Sequence, residues 1–450
     1  MWPLSRAQLP KQFHALAEEL TLLQSTLIRL SKMNIEKPII ICNDDHKFIV
    51  KDQINKIEIE CDIFLEPISK NTTPSITLAA LMAKPETNLL VLPADHMIDN
   101  KNFFTEQIEN ACSYLNEKNI IVFGIKPTQP NINYGYIEAL ITKKPYFYVK
   151  SFKEKPSQKL AKLYLNKGTF FWNSGIYAFR STSFLEELKI YQPEILKVGM
   201  KVIEKFRNQS NFKIFDKTVF SKFKNISIDY SIMEYTKKAI MFPLDCKWSD
   251  LGTWSSVMEN TNKNKDGNVI RGNVLTSNTF NSLIYNLNNK ILATDSIKDL
   301  IIVDTKDSLL VTSLKKNKNM KLLVEKIKKK QPQVLEKYPD ENRPWGSFES
   351  ILKLPGYQIK KIIVKPGGKL SLQRHKFRSE HWVVVSGIGN VIKGKDSLKL
   401  KKGESIYIPK QVIHSLENIS KNNLIIIEVQ IGDYLEEDDI ERFGDVYGRK

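Results

Sequence analysis

Four residues in the last quarter of the chain constrain its fold more tightly than any other feature. They are Gln373-x-His375-x-x-x-x-Glu380 and, after Gly403, five residues and Pro409, His414 with Asn418 behind it. Along a β-strand, residues two apart face the same way, so Gln373 and His375 meet inside a barrel, with Glu380 and His414 arriving from neighbouring strands. Such a nitrogen and oxygen donor set suits a divalent ion such as Zn²⁺ and leaves coordination positions for a substrate. Taken singly, each histidine reads as an ordinary barrel residue. Three of the chain's six histidines lie in this region, however, and the two motif histidines fit the spacing together. His381 directly follows Glu380, faces the other way and is left out of the ligand set.

From Arg343 onward, short strands crowd together with turns at Pro366-Gly367-Gly368, Gly387, Gly403 and Pro409, the pattern of a small antiparallel barrel. The spacings are similar to both motifs of the cupin superfamily, with Gln373 where many cupins have His and Gln411 where Gly is usual. Several fragments resemble the type II phosphomannose isomerase domain. They are Arg343-Pro344-Trp345-Gly346, Leu370 to Gln373, Glu380 to Gly387, Ile427-Glu428-Val429-Gln430 and the tail from Tyr434-Leu435-x-Glu437-Asp438-Asp439-Ile440 to Asp445-x-Tyr447-Gly448-Arg449. The resemblance implies interconversion of mannose 6-phosphate and fructose 6-phosphate. A metal would polarise the C1 and C2 oxygens while a base moves a proton through an enediol. The sequence does not name that base. Lys376 and Phe377 stand where the family usually has more histidines, and Ser415 where it usually has Arg, departures that bear on rate and phosphate binding more than on the metal.

The first 262 residues read differently. Short apolar runs at Ile39–Cys42, Leu89–Leu92, Ile120–Phe123 and Ala239–Phe242 are separated by helix-like segments, which predicts a Rossmann-like α/β domain with a mostly parallel sheet. Leu16, Leu20, Leu23, Leu27 and Leu30 predict an amphipathic helix over Phe13–Leu30. Asn268–Val311 reads as an all-β connector, a short β-helix, and Leu314–Lys330 as a basic helical stretch leading to a linker at Pro332 and Pro339. The expected domains are 1–262, 263–335 and 336–450.

Trp2-Pro3-Leu4-Ser5-Arg6-x-x-x-Pro10-Lys11-Gln12-Phe13 resembles the signature of sugar-nucleotide pyrophosphorylases in their mannose-1-phosphate guanylyltransferase form. Glu66-Pro67 with Asn71-Thr72-x-Pro74, Leu92-Pro93-Ala94-Asp95-His96, Tyr134-Gly135-Tyr136-Ile137 and Phe152-x-Glu154-Lys155-Pro156 agree with it. So do Trp172-Asn173-Ser174-Gly175, Ser227-Ile228-Asp229-Tyr230 and Trp248-Ser249-Asp250-Leu251-Gly252-Thr253-Trp254. Alone, a Pro-Ala-Asp-His turn is a strand exit and Trp-x-Asp-Leu-Gly is core packing; coincidence does not put all these fragments in the family's order. The resemblance implies transfer of a guanylyl group from GTP to mannose 1-phosphate, a reaction that needs charge neutralisation and positioning. On that reading Asp95 and Asp250 hold Mg²⁺, Arg6 and Lys11 meet the triphosphate and Lys155 meets the sugar phosphate. Gly135, Glu154 and Asn173 contact the sugar. Lys70 replaces an Arg usual before Asn-Thr, keeping the charge without the planar fork.

The family begins with a hydrophobic strand and a loop, Gly-Gly-x-Gly-Thr-Arg-Leu, just before Trp-Pro-Leu-Ser-Arg, and here Met1 takes the loop's last position. That loop's backbone N–H groups cradle phosphates. The expectation is a start upstream or a transferase domain without activity, and the sequence leaves both open.

The net charge of +18 raises a nucleic-acid reading, but Lys is spread along the chain and clusters only at 315–318 and 326–330, so a solvated surface and anionic substrates are expected instead. No run approaches the roughly 20 apolar residues of a membrane span. No signal peptide is read at Met1–Arg6. The scattered Cys42, Cys61, Cys112 and Cys246 argue against a zinc cluster or disulfide scaffold. The sequence predicts a cytoplasmic two-activity enzyme that uses GTP, mannose 1-phosphate and mannose 6-phosphate, with no nucleic-acid or membrane partner; a homo-oligomer stays open. The alternatives are an isomerase with a decayed transferase domain and a non-catalytic sugar-binding regulator.

Overall fold

A computed structural model describes residues 1–99, 101–209, 212–315 and 320–444. Lys316 and Lys318 of the first basic cluster, and Asp445 to Arg449 of the tail motif, lie outside them. Two compact units emerge: residues 1–304 with 309–324, and residues 305–308 with 325–450. None of the described helices is long and apolar enough to cross a membrane.

The first unit is built on two sheets. The larger runs Asn88–Val91, Phe170–Arg180, Ile120–Ile125, Ala239–Pro243, Phe147–Lys153, Tyr136–Leu140. Its one parallel pairing joins Ile120–Ile125 to Ala239–Pro243, so the sheet is mixed and not mostly parallel as the apolar runs suggested. The reason is local. The hairpin Tyr136–Leu140/Phe147–Lys153 is antiparallel by its short connection, and the eleven-residue strand Phe170–Arg180 runs antiparallel to three neighbours. Ile120–Ile125 is buried throughout, and both of its faces feed separate apolar clusters, with Ile120 and Val122 in one and Ile121 and Phe123 in the other.

The smaller sheet, Ile39–Asn43, Asp62–Glu66, Phe212–Ile214, Arg207–Gln209, is parallel across its first three strands. It ends on Ile39–Asn43, as the larger sheet ends on Asn88–Val91. Neither end strand contains a fully buried residue, although they read Ile-Ile-Ile-Cys-Asn and Asn-Leu-Leu-Val.

The expected helix over Phe13–Leu30 is shorter. A single turn, Lys11–Phe13, precedes a helix that starts only at Leu22, where Thr21 forms a capping box with Gln24. The intervening stretch is claimed by the connector: Arg271 Nη1 donates to the Ala15 carbonyl, and Tyr285 Oη to the Leu16 carbonyl at 2.5 Å. Leu16 is buried without being helical. The connector stacks Val269–Arg271, Leu283–Asn286 and Leu300–Asp304 in parallel register, beside a second parallel pair, Val274–Ser277 and Leu292–Asp295. This is the coil pattern of the short β-helix read from the sequence.

The second unit is antiparallel throughout. One sheet runs Asp340–Arg343, Gly346–Leu354, Tyr357–Val364, Leu424–Gly432, Arg378–Ser386, Ser405–Ile408; the other runs Asp396–Lys401, Ile388–Lys393, His414–Asn418, Leu372–His375, Ile440–Gly444. Strict alternation of burial in Tyr357–Val364 and across most of Leu424–Gly432 marks an inward face. That face is divided. Trp345, Ile362, Val364, Val384, Leu424 and Ile426 belong to an apolar core, whereas Gln358, Lys360, Glu380, Glu428, Gln430, His375 and His414 are buried polar groups. So many buried polar side chains oppose the stability of a small barrel unless they are paired or ligated.

Candidate functional site

In the second unit, the strand Leu372–His375 lies against His414–Asn418 with Gln373 registered opposite His414. The His375 and His414 rings sit 4.9 Å apart. Glu380, from Arg378–Ser386, places Oε1 3.0 Å from His375 Nε2 and Oε2 3.6 Å from His414 Nε2. Among the described residues, these three form the one group of His, Cys, Asp or Glu side chains able to share an ion, with ligand atoms within 4.8 Å of one another. His414 Nδ1 faces the Val412 carbonyl at 2.9 Å, which turns Nε2 toward Glu380. Both ring nitrogens of His375 and Nε2 of His414 are buried without a hydrogen bond; the approach of His375 Nε2 to Glu380 is close but too poorly aligned to be one. Unpaired imidazole nitrogens converging on a carboxylate are what a divalent ion requires, so the donor set fits a metal. Gln373 is half-buried beside them, its Oε1 accepting from Ser371 Oγ at 2.8 Å. His381 is exposed and packs on Tyr407, as its parity demands.

Glu380 also accepts from Arg378 Nε at 3.2 Å, Gln430 Nε2 at 3.1 Å and Trp382 Nε1 at 3.1 Å. Burial pushes its carboxyl up, but His375, His414 and Arg378 outweigh burial and hold it well below the usual range. Burial lowers His414 below its ordinary value, leaving the imidazole neutral for ligation. Arg378, Trp382, Glu428 and Gln430 were not singled out from the sequence as site residues. Trp382, Glu428 and Gln430 lay within family fragments but carried no role there, and Arg378 had no signal beyond its place two residues before Glu380.

In the first unit, Lys11 joins the two residues predicted to hold magnesium. Its ammonium is 2.7 Å from Asp95 Oδ2 and donates to the Asp250 backbone carbonyl. Tyr134 Oη donates to Asp250 Oδ1 at 3.0 Å. Leu251, fully buried, is held at φ +43°, a conformation that costs a branched residue energy and turns Asp250 outward from the strand Trp248–Ser249. Burial pushes Asp95 up, yet His96 and Lys11 together bring it below the usual carboxylate value. His96 is itself lowered by burial and accepts from Trp248 Nε1 at 3.3 Å. Asp95 and Asp250, joined through the Lys11 ammonium, are of the type that suits Mg²⁺, which usually takes one or two protein carboxylates and fills its shell with water and phosphate oxygens. Arg6 is buried close in sequence to Lys11. It is 3% exposed, and its Nε donates to the Pro3 carbonyl at 3.1 Å, bracing the turn before Lys11.

The predicted sugar contacts also come together. A Cβ on Gly135 would stand 2.5 Å from Glu154 Oε2 and 3.3 Å from Asn173 Cβ, so only glycine allows this approach. Asn173 N donates to the Gly135 carbonyl at 2.8 Å. Asn173 Nδ2 donates to Asp229 Oδ1 at 2.9 Å, and Tyr177 Oη to the same oxygen at 2.5 Å. Lys155, at φ +45°, keeps its ammonium 3.4 Å from Glu154. Burial, then Asp229, raises Glu154. Asp229 and Tyr177 complete this cluster; Asp229 lay within a family fragment but carried no role, and Tyr177 had no signal.

Comparison with known proteins finds similarity along the whole chain. The family description "Nucleotidyl transferase" matches residues 1–267, "MannoseP isomerase/GMP-like beta-helix domain" residues 272–327, and "Mannose-6-phosphate isomerase C-terminal" residues 330–445. A mannose-1-phosphate guanylyltransferase of Escherichia coli is 41% identical over 460 residues, covering 100% of this chain and 96% of that protein. The alginate biosynthesis protein AlgA of Pseudomonas putida is 38% identical over 456 residues, covering 100% and 94%. A crystal structure described as mannose-1-phosphate geranyltransferase from Thermus thermophilus superposes with a TM-score of 0.65 at 26% identity, over 73% of this chain and 95% of that one. Mannose-6-phosphate isomerase from Helicobacter pylori gives 0.50 at 31% identity, over 53% and 95%.

Proposed function

The chain belongs to the family of mannose-1-phosphate guanylyltransferases with a C-terminal mannose-6-phosphate isomerase domain, and from that premise we propose that it carries out both reactions. It makes GDP-mannose and diphosphate from GTP and mannose 1-phosphate, and it interconverts mannose 6-phosphate and fructose 6-phosphate. The observation that carries this reading is the presence in one chain of the Lys11–Asp95–Asp250 cluster and the His375–Glu380–His414 cluster.

In the transfer, a phosphate oxygen of mannose 1-phosphate bonds to the α-phosphorus of GTP while the bond to the bridging oxygen breaks and diphosphate leaves. Asp95 and Asp250 would hold Mg²⁺, which when bound neutralises charge on the phosphates. Lys11 exchanges Asp95 for the triphosphate. Lys155 meets the sugar phosphate, and Gly135, Glu154 and Asn173 hold the sugar, with Asp229 and Tyr177 fixing the Asn173 amide. Arg6 keeps the turn that presents Lys11.

In the isomerase, Gln373, His375, Glu380 and His414 would hold a divalent ion such as Zn²⁺, which when bound draws electrons from the C1 and C2 oxygens. Trp382, Gln430 and Arg378 fix Glu380 for that task. The segments 1–262, 263–335 and 336–450 divide these roles into transferase, connector and isomerase.

The purified chain is assayed for both reactions, with Mg²⁺ for the transfer and Zn²⁺ for the isomerisation. Asp95→Asn abolishes GDP-mannose synthesis and spares isomerisation. Isomerisation without any synthesis by the wild type reduces the reading to an isomerase with a silent transferase domain.

A further inference from the structure

Lys360 is a buried cation that the ligand cluster does not account for. It is 5% exposed on the inward face of Tyr357–Val364. Its ammonium lies 4.8 Å from the centre of the Phe348 ring and 2.7 Å from Glu437 Oε1. Arg343 sits 5.5 Å from the same ring, 2.5 Å from Glu341 Oε2 and 3.7 Å from Glu437 Oε2. Two cations from different strands thus face Glu437, Lys360 directly and Arg343 from its closer pair with Glu341. Burial pushes Glu437 up, but Lys360 and then Arg343 bring it down to about 2, so an anion occupies this place across the working pH range.

Two amide oxygens near it are buried and unpaired, Gln358 Oε1 and Gln430 Oε1. The Gln430 amide has one sensible orientation, because its Nε2 donates to Glu380 Oε1 at 3.1 Å and to Glu428 Oε2 at 2.8 Å. Gln358 pairs with Gln430 across the sheet, and Gln430 with Glu380, so the three stand in one row. A buried acceptor without a donor is costly, a cost relieved when a ligand hydroxyl arrives.

We propose that Lys360 and Arg343 anchor the phosphate of the isomerase substrate, that Glu437 holds their place until substrate displaces it, and that the Gln358 and Gln430 oxygens accept sugar hydroxyls on the way to the ligand cluster. The proposal rests on the isomerase reading of His375, Glu380 and His414. Lys360 stands two strands from Glu380 and two residues out of its row. At about 4.8 Å per strand and 3.4 Å per residue, the backbones are roughly 12 Å apart before inward-pointing side chains shorten the gap. That span suits an open-chain hexose with its phosphate at the far end. A phosphate dianion satisfies a Lys–Arg pair better than a carboxylate does, since it brings more charge and more acceptor oxygens. Glu437 belongs to a single helical turn, Glu437–Asp439, so releasing it need not disturb the sheet.

The test uses the full chain, with KM and kcat for mannose 6-phosphate, inhibition by inorganic phosphate, and divalent-ion content per chain. Lys360→Met raises KM and weakens phosphate inhibition at least tenfold, with ion content retained. Glu437→Gln removes the competitor, so it lowers KM and strengthens phosphate inhibition several-fold. If Lys360→Met alone does not fold, the double variant Lys360→Met/Glu437→Gln takes its place and loses the gain of Glu437→Gln. Unmoved KM and phosphate inhibition in these variants, or a raised KM in Glu437→Gln, overturns the proposal and leaves Glu437 a structural clamp. A wild type with no isomerase activity fails the underlying reading instead, a result of a different kind.

Discussion

Glu380 and Glu428 share two side-chain donors. The Trp382 indole N–H stands 3.1 Å from Glu380 Oε2 and 3.0 Å from Glu428 Oε1, and Gln430 Nε2 serves the same two residues at 3.1 and 2.8 Å. Adjacent buried carboxylates do not ionise independently. The histidines and Arg378 keep Glu380 charged, whereas burial and then Glu380 itself push Glu428 up to about 8. One carboxyl is prepared to ligate while its neighbour keeps its proton.

That division gives a pH signature. Between an unfolded value near 4.5 and the folded value of about 8, the native state keeps a proton on Glu428 that the unfolded chain releases. The contribution of Glu428 to stability therefore falls as pH rises through this window and levels off above it. His414 and His96, lowered by burial, act in the opposite sense only up to about pH 6.5. In chelator-treated protein, thermal midpoints from pH 6.5 to 8.5 should fall more steeply for the wild type than for Glu428→Gln. Parallel curves would refute the assignment.

Removing an ion ligand should separate the activities. His375→Ala or His414→Ala is expected to lower isomerisation at least 100-fold and to reduce ion content, while GDP-mannose synthesis continues because its cluster lies in the other compact unit. Normal isomerisation by either variant after chelation would show that the ligand set is wrong.

Gly135→Ala tests the sugar pocket. The new methyl would overlap Glu154 Oε2, so Glu154 must swing away. We expect KM for mannose 1-phosphate to rise tenfold or more, with KM for GTP changed far less. An equal rise in both would point to general damage.

Gln411 carries a backbone penalty that can be removed. It sits at φ +63° in the turn before His414, and its N–H donates to the His375 carbonyl at 2.7 Å. Gln411→Gly keeps that bond and relieves a left-handed conformation that costs an L-residue roughly 1–2 kcal/mol, less glycine's own entropy cost of about 0.5–1 kcal/mol. Chemical denaturation should show a gain of at most about 1.5 kcal/mol with unchanged ion affinity. A loss of stability would mean that the Gln411 side chain matters more than its backbone.

The sequence made His375, Glu380 and His414 legible because strand parity and turn spacing are local rules, and the barrel obeys them. Asp95, Lys11 and Asp250 were legible only through family fragments, since contacts over more than 80 residues leave no period to read. Lys360 and Glu437 show the same limit within the barrel: one looks like any strand lysine, the other like any acidic tail residue, until the sheet order brings them together. The mostly parallel sheet was misjudged because buried apolar runs look alike in either direction. The overlong first helix followed a true leucine period, but Leu16 is buried outside any helix, its carbonyl held by Tyr285 of the connector.

The grip of Arg271 and Tyr285 on Ala15 and Leu16 decides where this gene can be divided. A severed fragment ending at residue 262 keeps every predicted transferase side chain yet loses the tether just behind Lys11, leaving the Ala15 and Leu16 carbonyls without these donors. The helix Met320–Lys330 carries the chain past the last residues of the first compact unit. Anyone splicing a different barrel onto this transferase should therefore cut at Gln331, where the coil that steadies the nucleotide end is still attached.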